Sequence, residues 1–191
     1  MQPPTLLSPA KNNYVTNVAR PTFTWTEVAN AEQYEIVFAK DSHFTQNVDP
    51  HFVSDATLTV SNPLPDGKYY WRARAYNAAN QYSGWSTWRS FSIDTSLPLA
   101  PVLKSPANNA SLRGVPTFRW SNVSGAVSYQ FEIDNDSDFS SPVFSISQRT
   151  SYRRPPGALR GSYFWRVRAQ DAAGNWSAWS EVFVVNILRA R

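Results

Sequence analysis

One segment occurs twice, and it constrains the fold more than any other feature. Tyr69-Tyr-Trp-Arg-Ala-Arg-Ala75 and Tyr163-Phe-Trp-Arg-Val-Arg-Ala169 align residue for residue. Side chains alternate across an extended strand, so Tyr163, Trp165, Val167 and Ala169 share one face, and Phe164, Arg166 and Arg168 the other. A turn follows in each copy: Asn77 to Asn80 in the first, Asp171 to Gly174 in the second. Asp171 can bond its own loop backbone there, and Gly174 can take positive φ. The chain then returns through Tyr82-Ser-Gly-Trp-Ser86 or Trp176-Ser-Ala-Trp-Ser180. The offset is 94 residues for both the strand tryptophans (Trp71, Trp165) and the returning ones (Trp85, Trp179). The returning segment can lay Tyr82 and Trp85 beside Arg72 and Arg74, and Trp176 and Trp179 beside Arg166 and Arg168. Such a ladder of guanidinium planes between rings is worth about 0.5–2 kcal/mol per contact.

A repeat of this length divides the 191 residues into two modules, expected at 3–95 and 99–188. Modules of that size need a dense core, and 8 Trp, 9 Tyr and 11 Phe supply large buried areas with few rotatable bonds. With 14 Pro and one Met, the composition favours β-structure. No cysteine is present, which excludes disulfides, thiolate metal sites and a cysteine nucleophile. No apolar run approaches the ~20 residues of a membrane-spanning helix, so no membrane insertion is expected. Met1-Gln-Pro-Pro lacks the features of a signal peptide, so the chain is expected to be cut from something longer or to have lost an export signal.

The rest of each repeat also aligns. Pro4 to Ala10 parallels Pro101 to Ala107, an edge entry at which prolines stop ladder bonding. Pro21-Thr-Phe-Thr-Trp25 parallels Pro116-Thr-Phe-Arg-Trp120, and Tyr34 to Phe38 parallels Tyr129 to Ile133. Period two places Trp25, Tyr34, Tyr69 and Trp71 in the first core, with Trp120, Tyr129, Tyr163 and Trp165 in the second. Asp41-Ser-His-Phe44 and Asp136-Ser-Asp-Phe139 read as turns whose acid and serine bond backbone and whose phenylalanine pins the loop. About seven short strands per repeat at regular spacing indicate two antiparallel sandwiches. The proline-containing linker Asp94 to Pro101 is expected to be semi-stiff, setting the modules end to end.

This ordered set, present twice, resembles the fibronectin type III family over nearly the whole chain. The resemblance implies an all-β, immunoglobulin-like fold of two seven-stranded antiparallel sandwiches. It also implies a corner formed by Leu64 with Tyr69, and by Leu159 with Tyr163, in which the tyrosine hydroxyl bonds back to backbone. Trp176 to Ser180 is similar to the WSXWS box of class I cytokine receptors. The receptor cysteines are absent and Tyr82 replaces the leading tryptophan of the first box. The overall wording is more similar to repeats of bacterial secreted and surface proteins, in which the box is a structural clamp.

Catalytic constellations are sparse. His43 and His51 are the two histidines, and His43 aligns with Asp138 as a loop residue; no Ser–His–Asp set, HExxH or phosphate loop is present. Asp134, Asp136 and Asp138 are spaced as in a calcium loop. Phe139 stands where such a loop needs glycine, and Ser145 where it needs a bidentate glutamate, so no metal is expected. Asn109, Asn122, Asn135 and Asn175 each begin an N-x-S sequon, which matters only in a glycosylating host. The halves differ in charge: residues 1–97 carry 7 Lys and Arg against 8 Asp and Glu, and residues 98–191 carry 11 against 6. Arg149, Arg153, Arg154 and Arg160 account for much of that excess. They read as a solvated edge rather than a nucleic-acid surface. Tyr14, Tyr76, Trp88 and Tyr152 have no aromatic counterpart in the other copy, and Trp88, Tyr152, Arg153 and Arg154 are candidate ligand-binding residues. The expected function is a non-catalytic spacer or interaction segment of a larger extracellular or cell-surface protein, without cofactors and with neighbouring domains as partners. The alternative is a binding module for a polysaccharide or protein ligand, accessory to a carbohydrate-active enzyme in one version.

Overall fold

A computed structural model describes residues 1–10 and 12–189. The chain divides into two units, Met1–Thr95 and Ser96–Arg191. Unit 1 contains β1 (Leu6–Ser8), β2 (Tyr14–Thr16), β3 (Thr22–Trp25), β4 (Gln33–Ala39), β5 (Asp49–Val53), β6 (Thr57–Thr59), β7 (Gly67–Tyr76) and β8 (Arg89–Ile93). They form a three-stranded sheet, β1-β3-β6, and a five-stranded sheet, β2-β8-β7-β4-β5. Unit 2 contains β9 (Leu103–Ser105), β10 (Ala110–Arg113), β11 (Phe118–Trp120), β12 (Ala126–Asp134), β13 (Phe144–Gln148), β14 (Tyr152–Arg153), β15 (Gly161–Asp171) and β16 (Phe183–Leu188). Its sheets are β14-β11-β9 and β10-β16-β15-β12-β13, the same topology.

The seven expected strands are present in each unit, and the first is broken into two pieces that lie in different sheets. In unit 1 the break falls at Pro9, which has no N–H to continue the ladder of β1 with β3. The Ser8–Pro9 and Ser105–Pro106 peptide bonds are both cis. Beyond the break β2 runs parallel to β8, with Tyr14 opposite Phe91 and Thr16 opposite Ile93; β10 runs parallel to β16 in the same way. These parallel pairs arise because the chain crosses between sheets without reversing direction. Arg89 secures the crossing in unit 1 by donating from Nη1 to the carbonyls of Leu7 at 3.1 Å and Pro9 at 2.7 Å.

The period-two pattern of the sequence becomes the sandwich interior. Phe23, fully buried, has the rings of Phe38 and Trp71 at 4.8 Å and that of Phe91 at 5.0 Å. In unit 2, Phe118 packs against Phe131 at 5.2 Å and Trp165 at 5.0 Å. Tilted and edge-on arrangements of this kind suit the ring quadrupoles while filling the space between sheets. The equivalent tyrosines of β4 and β12 find partners at the core margin. The hydroxyl of Tyr34 accepts from the Val28 N–H at 2.9 Å, and that of Tyr129 from the Val123 N–H at the same distance.

The corner tyrosines differ between the units. Tyr69 is buried and donates to the Pro65 carbonyl at 2.7 Å. Tyr163 is only half-buried, and its hydroxyl reaches the Arg160 carbonyl at 3.2 Å. One residue fewer separates Leu159 from Tyr163 than Leu64 from Tyr69, so the second corner is tighter and less covered. Truncating either central phenylalanine removes the ring that joins the two sheets. Phe23→Ala and Phe118→Ala should each lower the stability of their own unit by about 3–5 kcal/mol. Urea denaturation followed by tryptophan fluorescence checks this, and a loss under about 1 kcal/mol would show that the core is centred elsewhere.

Candidate functional site

The outward face of each five-stranded sheet carries a stack of rings and guanidinium groups. Arginines two apart on one strand sit about 6.6 Å apart on the same face, which leaves room for one ring between their planes. In unit 2 the Arg168 guanidinium carbon lies 4.4 Å from the Trp176 ring and 4.6 Å from Trp179. Arg166 lies 4.1 Å from Trp179 and 4.0 Å from Phe139. The order is therefore Trp176, Arg168, Trp179, Arg166, Phe139. Unit 1 repeats it as Tyr82, Arg74, Trp85, Arg72, Phe44, with contacts of 4.5, 4.3, 4.2 and 4.1 Å.

The serines of the returning segment hold the rings in place. Ser177 and Ser180 donate their backbone N–H groups to the carbonyls of Ala169 and Val167, both at 2.8 Å. Their hydroxyls accept from the N–H groups of the same two residues at 2.9 and 3.0 Å. Ser83 and Ser86 treat Ala75 and Ala73 identically. The two serines are three positions apart and so are the two rings, so one side of the segment bonds β15 or β7 while the other stacks. The turn before it uses Asp171 as anticipated, with Oδ1 accepting from Ala173 and Asn175, both at 2.9 Å. Gly174 has φ 96°, and Asn80 takes the equivalent role at φ 56°.

The phenylalanine at the inner end of each stack was expected only to pin a loop. Phe44 and Phe139 have φ of 59° and 54°, a left-handed backbone that a bulky side chain rarely adopts. That conformation aims the ring under Arg72 or Arg166, so the stack compensates for the backbone. Asp41 builds the first loop: its carboxylate accepts from the N–H groups of Gln46 at 2.8 Å, Thr45 at 2.9 Å and His43 at 3.1 Å. Burial opposes the charged form, but these bonds and the Thr45 hydroxyl outweigh it and hold the carboxyl below its ordinary value. Asp138 is held low by its bonds to Ser140, including the N–H at 2.8 Å.

Each stack contains one buried glutamate, and the two occupy different rungs. Glu132 receives Arg166 Nε at 3.0 Å and Nη2 at 2.8 Å, while Gln130 receives Arg168 Nε at 2.8 Å. In unit 1, Glu35 pairs with Arg74 at 2.6–2.7 Å and also accepts the Tyr76 hydroxyl at 2.7 Å. Burial and that hydrogen bond push the Tyr76 phenol above its usual range. Arg72 faces Val37 across the sheet instead of an acid, and its Nε is buried without a partner. Burial first, then the charge of Arg74, lower its pKa from the usual arginine value, against the pull of Glu35.

The four candidate ligand-binding residues are divided between the units, Trp88 in unit 1 and Tyr152, Arg153 and Arg154 in unit 2. Trp88, in unit 1, is 43% exposed and meets Tyr70 edge-on at 5.3 Å. Tyr152, in unit 2, is half exposed, with the Arg119 guanidinium 5.4 Å from its ring. Arg153 turns toward the sandwich margin, 5.3 Å from the Phe144 ring, with Nε buried, because it pairs with inward-facing Phe118. Arg154 is exposed and lines a depression of about 190 Å³ with Arg160. Asp134 is 1% exposed whereas Asp136 and Asp138 lie at the surface. Among the described residues no group of three His, Cys, Asp or Glu side chains is placed to hold a metal. His43 is exposed, and His51 Nε2 lies 2.9 Å from Asp49 Oδ2.

Comparison with solved structures decides the architecture. The fibronectin(III)-like modules of Clostridium thermocellum CbhA align over 98% of this chain and 95% of theirs, with a TM-score of 0.61 and 15% identity. The chicken CNTN1 FN1-FN3 domains align over 98% of this chain and 68% of that one, with a TM-score of 0.57 and 15% identity. The chain folds as two tandem fibronectin type III sandwiches. No family model matches it. An uncharacterized protein of Treponema pallidum (strain Nichols) is 30% identical over 119 residues, 60% of this chain and 17% of that protein. The chain thus spans less than a fifth of that relative's length.

Two outcomes follow from the stacks. Arg166→Ala strands a buried Glu132 carboxylate and should cost unit 2 about 3 kcal/mol, read from its urea midpoint. A change below about 1 kcal/mol would show that the stack contributes little. Asp41→Asn should lower the melting temperature at neutral pH, since a depressed native carboxyl stabilises the fold above its ordinary pKa of about 3.9. That contribution is lost as pH falls through the lowered native value, so the gap between the two proteins should close in acid. Melting curves from pH 2 to 7 check this; a gap that persists at pH 2 contradicts it.

Proposed function

We propose that this chain is a non-catalytic spacer or interaction segment of a larger secreted or cell-surface protein, with neighbouring domains as its partners. The observation that carries the reading is that one chain holds two self-contained sandwiches, each with its own core and its own stack. Modules of this fold are generally non-catalytic, and fibronectin type III domains are often found outside the cell. The chemistry of the stacks supports the same reading. Arg74 with Glu35, and Arg166 with Glu132, are charged groups already committed to each other and to flanking rings. A guanidinium locked between two rings is a structural tie, not a free acid or a free binding hand.

A segment that sets distance needs modules that resist opening, and stacks tying the returning segment to the central strand serve that end. Exchanging both sandwiches, in the protein of origin, for an unrelated tandem pair with the same residue count separates the two versions of the reading. Retained activity supports spacing, and lost activity supports an interaction made by these surfaces. Turnover of any glycoside or peptide substrate by the purified chain would overturn both.

A further inference from the structure

The outer end of the stack differs between the two sandwiches in a way that stability does not require. In unit 1 three rings gather there. Phe52 on β5 lies 6.3 Å from Tyr76 at the end of β7, and Tyr76 lies 5.8 Å from Tyr82. Phe52 is 53% exposed and Tyr82 63% exposed. The equivalent positions of unit 2 follow from the strand registers. Phe52 faces Glu35 as Ser147 faces Gln130, and Tyr76 bridges Tyr82 as Gln170 bridges Trp176. Unit 2 therefore completes the same ladder with a serine, a glutamine and a tryptophan that is half-buried. Phe52 and Tyr76 are additional to what the ladder needs, and Tyr82, its outermost rung, lies beside them. A cluster of exposed apolar rings with a polar rim is the mark of an interaction surface.

We infer that Phe52, Tyr76 and Tyr82 form a binding surface for a neutral polysaccharide, a role beyond spacing. The electrostatics select the class. The one cation under the rings, Arg74, is neutralised by Glu35 at 2.6 Å, and the Tyr76 hydroxyl is spent on the same carboxylate. Nucleic acids and acidic glycans draw their affinity from uncompensated lysines and arginines, and the described residues of this patch, Phe52, Tyr76, Tyr82, Gln33 and Gln81, include none. Its rim is made of exposed amides, Gln33 opposite Tyr76 and Gln81 beside Tyr82. Gln81 Oε1 accepts from Asn77 at 3.0 Å, leaving its NH2 as an unused donor. A pyranose ring presents an apolar C–H face encircled by hydroxyls, which pairs with ring faces and amides together. Successive rings are inclined by 59° and 54°, so they present a turning series of faces to the residues of one sugar chain rather than a single flat plane. Tyr76 is fixed in orientation by Glu35, which lowers the entropy lost on binding.

The test uses the full chain in affinity electrophoresis with soluble galactomannan, β-glucan and xylan, and in pull-downs on insoluble cellulose and chitin. Retention by at least one of these is expected. The pair Phe52→Ser and Tyr76→Gln, which installs the residues of unit 2, should weaken it at least tenfold, with a lower but still cooperative melting transition because Glu35 loses the Tyr76 hydroxyl. Phe52→Ser alone serves the same purpose if the pair does not fold. Trp88→Ala, outside the three rings, should bind as the native chain does. No retention on any of the five, retention unaffected by Phe52→Ser, or capture of a proline-rich peptide instead of a glycan would each overturn the inference. Such a failure leaves the spacer reading standing, because that reading is tested by domain exchange and by turnover.

Discussion

The fit between the rise of a β-strand and the thickness of an aromatic ring underlies each sandwich. Two residues of strand carry a side chain about 6.6 Å along the same face, and one ring fills the gap between two guanidinium planes placed there. Trp85 sits between Arg72 and Arg74 on that account, and Trp179 between Arg166 and Arg168. Partly desolvated, such contacts gain more than they would in open water. They also join the segment after β7 or β15 to the strand itself, where ladder bonding alone would be irregular. The serines bond the strand in both directions there, N–H to carbonyl and hydroxyl to N–H.

The two copies reach the same electrostatic end by different routes. Two arginines confined between rings repel each other, and one buried carboxylate per sandwich offsets them. Glu132 answers Arg166, the inner rung of unit 2, and Glu35 answers Arg74, the outer rung of unit 1. The consequence for unit 1 is a half-buried inner arginine, Arg72, facing Val37 with its Nε buried, and an outer rung at which Glu35 also orients Tyr76. Moving the acid outward thus couples the internal tie to the exposed rings. Unit 2, with Gln130 and Gln170 at that end, has no such coupling.

Much of the fold was legible before any coordinates. Alternation in Tyr69 to Ala75 and Tyr163 to Ala169 separated core from stack, because period two has only two faces to assign. The loop phenylalanines were harder. Phe44 and Phe139 joined the stacks through a left-handed backbone, and no spacing rule reports φ; the repeated Asp-Ser-x-Phe at a constant distance from the strand was the available signal. The glutamates were missed for a different reason: Glu35 and Glu132 do not align with each other, so comparison of the repeats hid their shared role. Arg153 reads in the sequence as part of a solvated charged edge, and the register instead sets it opposite inward-facing Phe118.

What the sequence determined by itself was the module: its duplication, its period-two cores, its cysteine-free chemistry, and the pairing of rings with arginines. Those are local, and local spacing is enough to settle which side of a strand a residue occupies. The tertiary structure alone decided which strand lies beside which. That brought Phe52 of β5 to Tyr76 of β7, and Glu35 beneath them both, across intervals of chain that no periodicity connects. A surface is made by neighbours in space, and in a sandwich those neighbours come from strands far apart in sequence.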